Sequence, residues 1–76
     1  MSMQTVARQV FTDALPGLGR WDPVVFLGIV GDEMFHACGF TGSLDSLDDL
    51  DGLTEEQARM FCEILPNLIR DLPPPV

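Results

Sequence analysis

Few side chains in this sequence could do nucleophilic or metal chemistry. His36 is the only imidazole, and Cys38 and Cys62 are the only thiols. Zinc accepts such ligands, but a structural site needs four, and His36-Ala37-Cys38 has no second pair. A Cys–His nucleophile needs both groups adjacent and a third group to orient the imidazole. On a strand His36 and Cys38 would share a face; on a helix they stand about 200° apart and cannot cooperate. Both cysteines therefore read as reduced, buried apolar residues. Asp49-Leu50-Asp51-Gly52 has the composition of the middle of a calcium loop. That frame puts Leu47 and Ala58 at the first and last ligand positions, where oxygen is required. Asp32 and Glu33 do not make an acid–base pair, because neighbours in a turn point apart. The chain has no lysine, so its glycines form no phosphate loop. The expectation is a non-catalytic protein with no metal and no cofactor.

Asp45-Ser46-Leu47 resembles the modified string of acyl and peptidyl carrier proteins, which are also small and acidic. That resemblance implies a phosphopantetheine arm on Ser46. It covers three residues and the overall charge. Gly52 interrupts what would be the long helix after the serine, and only 30 of the 76 residues follow Ser46. A carrier-like or metal-binding domain is therefore a minor alternative, and Ser46 is read as a stabiliser of a turn or helix terminus.

The elements that must position these groups follow from periodicity. Val6, Val10, Phe11, Ala14 and Leu15 recur at three- and four-residue spacing, which predicts a helix over Met3 to Leu15 ended by Pro16-Gly17. Val24 to Phe40 admits two readings. Its β-branched and aromatic residues, with Gly31-Asp32 as a two-residue loop, predict a β-hairpin. Phe35 would then cover Gly28 across the strands. The rival is one helix capped by Asp22, started by Pro23 and closed by Gly39. Gly28 and Gly31 would each cost that helix about 1 kcal/mol, and the hairpin is preferred. Leu44, Leu47 and Leu50 predict a short acidic helix capped by Ser43. Thr54 and Gln57 form a capping box. After it, Phe61, Ile64, Leu65, Leu68, Ile69 and Leu72 predict a long helix, kinked at Pro66. Residues 73–76 read as a proline tail. The expected fold is α+β in one domain over 1–76, with an all-α bundle as the alternative.

Charge carries the functional reading. Twelve acids oppose four arginines, giving a net charge of −8. A sequence-independent nucleic-acid binder needs a positive footprint, so direct nucleic-acid binding is excluded. Anionic membranes are disfavoured for the same reason. Met1 to Leu15 lacks the pattern of a signal peptide, and the expected location is cytoplasmic. Between Arg20 and Arg59 no basic residue interrupts nine of the twelve acids. Asp45, Asp48, Asp49, Asp51, Glu55 and Glu56, with Trp21, are the expected docking face for a basic protein. Such a regulator or inhibitor could occlude a nucleic-acid-binding site. In size and charge it resembles small phage-encoded inhibitors of bacterial nucleic-acid machines. The alternative is a structural or assembly subunit whose acids only solubilise it. A homodimer is expected, through a strand edge or through Phe61, Leu65, Leu68 and Ile69 of the last helix.

Overall fold

The computed structural model describes residues 1–72, and the proline tail expected at 73–76 lies outside them. Three α-helices follow in order: α1, Met3–Ala14; α2, Pro23–Cys38; and α3, Glu55–Asp71. A 3₁₀ turn, Leu15–Leu18, extends α1, and another, Leu47–Gly52, precedes α3. The described residues contain no strand, so the fold is all-helical and the hairpin expectation is overturned. None of the helices is long and apolar enough to cross a membrane.

The physical reason for the correction lies in both ends and one face of α2. The Asp22 carboxylate accepts hydrogen bonds from the backbone N–H of Val24 at 2.8 Å and of Val25 at 3.4 Å. Those donors would otherwise be orphaned at the helix start. Gly39 closes the helix in the left-handed region, φ 76°, where a side chain would be strained. Phe26, Val30 and Met34, at four-residue spacing, are wholly buried with Leu27. Burying such a side chain contributes about 1.5–3 kcal/mol, so four outweigh two glycine penalties of about 1 kcal/mol.

α1 and α2 both pack on α3. Each helix sends one phenyl ring to the centre. The Phe11 ring centroid lies 6.4 Å from that of Phe26 and 6.3 Å from that of Phe61. Around them pack Leu50, Leu53, Ala58 and Leu65, and among the described residues no polar or charged group is buried. α3 begins as the sequence predicts: Gln57 N–H donates to Thr54 Oγ1 at 3.1 Å, and Thr54 N–H donates to Gln57 Oε1 at 2.9 Å. It continues through Pro66 to Asp71. The acidic helix is shorter than expected and starts from Ser46, not Ser43.

Candidate functional site

The six acids between Asp45 and Glu56 are not one uniform solvated face. Asp49 Oδ2 accepts from the backbone N–H of Asp45 at 2.7 Å and of Ser46 at 3.1 Å, which holds the start of the 3₁₀ turn. Arg8 reaches across from α1. Its Nη1 donates to Asp51 Oδ2 at 2.9 Å, and to Asp48 Oδ1 and the Leu47 carbonyl at 3.4 Å. Glu55 stands 3.7 Å from Arg59 one turn along α3. Asp45 accepts from the Ser43 hydroxyl at 3.3 Å. Asp48, Asp49 and Asp51 therefore have structural work, and Arg8 neutralises part of the patch. Sequence reasoning missed Arg8. Its signal was the pair Gln4 and Arg8, polar residues one helical turn apart, and Gln4 Nε2 also donates to this region, to the Leu53 carbonyl at 2.6 Å.

Other carboxylates are left unanswered. Asp32 and Glu33 on α2, and Glu56 and Glu63 on α3, are exposed and have no ion pair among the described residues. Three of the four arginines, Arg8, Arg59 and Arg70, are engaged in ion pairs within the chain. Trp21 is half-buried and packs against the core between the first 3₁₀ turn and α2.

A groove of about 300 Å³ lies between α2 and the 40–45 loop. Gly28, Gly31, Phe35 and Phe40 line it, together with Asp32 and Asp45. Phe35, expected to cover Gly28 across a hairpin, instead shares its helix face two turns on, and is 52% exposed. Phe40 closes over Gly42, whose absent Cβ would stand 2.8 Å from Phe40 Cζ, so the loop is seated by this close approach. The two glycines differ. A Cβ on Gly31 would meet the Leu44 side chain at 3.6 Å, whereas one on Gly28 would meet nothing within 4 Å. Gly28 thus costs α2 about 0.5–1 kcal/mol relative to alanine, with no packing in return.

The residues expected to form a dimer divide. Phe61 and Leu65 are fully buried in the chain's own core, while Leu68 and Ile69 are half-buried. Among the described residues there is no strand and so no strand edge. The thiols also depart from expectation: Cys38 is exposed and its Sγ donates to the Met34 carbonyl at 3.3 Å; Cys62 is half-buried against the core. Burial, and then the Glu63 charge, push the Cys62 thiol above its ordinary pKa. Among the described residues no three His, Cys, Asp or Glu side chains are grouped to hold a metal. Ser46, the residue of the carrier-like string, is exposed at the start of a six-residue turn. Comparison with known protein families, curated proteins and solved structures finds no match to this chain.

Proposed function

We propose that this is a small non-catalytic regulator or inhibitor that acts in the cytoplasm by docking a basic protein. One observation carries the reading: the chain uses three of its four arginines in internal pairs, and among the described residues Asp32, Glu33, Glu56 and Glu63 stay exposed without a cation. A surface with unanswered charge of one sign raises the encounter rate with an oppositely charged partner. Nucleic-acid-binding proteins carry such basic surfaces, so their nucleic-acid site is the natural target for occlusion. The docking acids are these four with Asp45, not the Asp48–Asp51 group that holds the turn.

The test is competition. A panel of purified basic nucleic-acid-binding domains is titrated with the chain in the presence of duplex DNA. A supporting result is a complex that excludes DNA and weakens as salt rises from about 50 to about 300 mM, as screening requires. Neutralising Asp32, Glu33, Glu56 and Glu63 to their amides should abolish it. The reading fails if no domain binds, or if binding ignores both salt and the neutralised variant.

A second reading, self-association, rests on the start of α2, where Val24 and Val25 are 55% and 53% exposed. A dimer persisting at low micromolar concentration and abolished by Val24→Ser with Val25→Ser would favour it.

A further inference from the structure

We propose that the groove between α2 and the 40–45 loop is an anchor pocket for an arginine side chain of a basic protein partner. The proposal rests on the acidic docking reading and names what that surface grips. Two carboxylates, Asp32 and Asp45, border the groove, and no basic residue lines it. The Asp32 carboxylate makes no hydrogen bond or ion pair among the described residues, so its charge is available to a visitor. The walls are aromatic. Phe35 and Phe40 offer ring surface to a planar cation, and a guanidinium stacks on such faces while forking toward carboxylates. A lysine ammonium is compact and strongly hydrated, and gains less from those walls.

Size and lining agree. At about 300 Å³ the groove sits at the bottom of the ~300–1,000 Å³ range of small-molecule sites, suited to one long side chain. Gly31 is accounted for by Leu44, but among the described residues nothing lies within 4 Å of where a Gly28 Cβ would stand. An exposed glycine inside a helix weakens the helix. Here the missing side chain serves the depth of the groove. A second copy of the chain is a poor occupant, since each copy carries −8 and three of its four arginines are already paired. The arginine belongs to another protein.

The experiment titrates the full chain, ¹⁵N-labelled, with nona-arginine and with nona-lysine, probes of equal charge. Nona-arginine should bind at least about threefold more tightly, the increment expected of guanidinium stacking. Amide shifts should centre on Gly28, Gly31 and residues 40–45. Gly28→Leu keeps a good helix former and fills the groove; it should weaken nona-arginine about tenfold and leave nona-lysine unchanged. Gly28→Ala should raise the melting temperature while weakening nona-arginine, a pairing of signs that misfolding cannot produce. Equal affinities for the two peptides, or shifts centred on Glu56 and Glu63, would overturn the pocket and leave the acidic docking surface standing. No binding of either peptide would overturn both.

Discussion

α3 and α2 are nearly equal in length, 17 and 16 residues, and both start from a side-chain cap. They dispose of their apolar residues differently. α3 turns Ala58, Phe61 and Leu65 inward and presents Glu55, Glu56, Arg59, Glu63 and Arg70 to solvent. α2 buries Phe26, Leu27, Val30 and Met34, yet leaves Val24, Val25 and Phe35 half-exposed around an open glycine. An amphipathic helix is finished once it is packed. A helix that is apolar on more than one side, with one side uncovered, keeps surface that the monomer does not use. The difference separates a stability element from a recognition element on the same three-helix frame.

The largest effect that can test this contrast comes from truncating one phenylalanine on each helix. Phe61 is wholly buried and its ring meets Phe11. Phe61→Ala should cost about 3–5 kcal/mol. A domain of this size holds only roughly 4–11 kcal/mol in total. Phe35 is 52% exposed and touches the His36 ring edge-on at 5.5 Å between centroids. Phe35→Ala should cost under about 1 kcal/mol. Urea unfolding of the two variants decides it. Comparable losses would mean that α2's outer face is part of the core and the contrast is false.

A smaller effect concerns the helix starts. Asp22→Ala should cost about 1 kcal/mol, because Val24 and Val25 lose their acceptor. Thr54→Ala should cost a similar amount, because Gln57 N–H loses its acceptor while the backbone N–H of residue 54 can still donate to Gln57 Oε1. The two should part in local behaviour. α2 carries two glycines, so the Asp22 variant should speed amide exchange well into α2. The Thr54 variant should fray only the first turn of α3. Exchange measured amide by amide would sharpen the comparison, and equal spread in both helices would remove it.

The same contrast explains what the sequence let one see. α3 is legible because its information is local: Thr54 and Gln57 are three residues apart, and the stripe from Phe61 to Leu72 keeps one phase. α2 carried equally local signals in Asp22, Pro23 and Gly39. Those competed with Gly28, Gly31 and a run of β-branched residues, and local propensity ranked the hairpin first. Burial of Phe26, Val30 and Met34 in the shared core decided the matter, and that contact is not local. At the site, the surplus of acids was plain from composition. Which acids were already employed was not, since Arg8 meets Asp51 across 43 residues of chain. Gly28 and Phe35 share a helix face by i, i+7 spacing and line one groove, but Phe35 does not cover the glycine as strand pairing predicts, since nothing lies within 4 Å of where a Gly28 Cβ would stand.

The smallest effect is chemical, and it reads the two helices through their thiols. Cys38, at the end of α2, is exposed; Cys62, within α3, is half-buried against the core. The thiolate is the reactive species. Burial, with the Glu63 charge second, holds the Cys62 thiol in its neutral form to higher pH than an ordinary cysteine. Iodoacetamide at about pH 8 should therefore label Cys38 first and Cys62 more slowly, by roughly tenfold, a ratio that mass spectrometry resolves. The linkage has a definite sign. A folded pKa raised above the unfolded one contributes stability that is present below the unfolded value and lost as pH rises through the folded value. Wild-type protein should accordingly lose stability on the alkaline side, and Cys62→Ala should flatten that loss. Labelling of both thiols at one rate would mean that α3's inner face opens as readily as the free end of α2, and would put the stable and the exposed helix on the same footing.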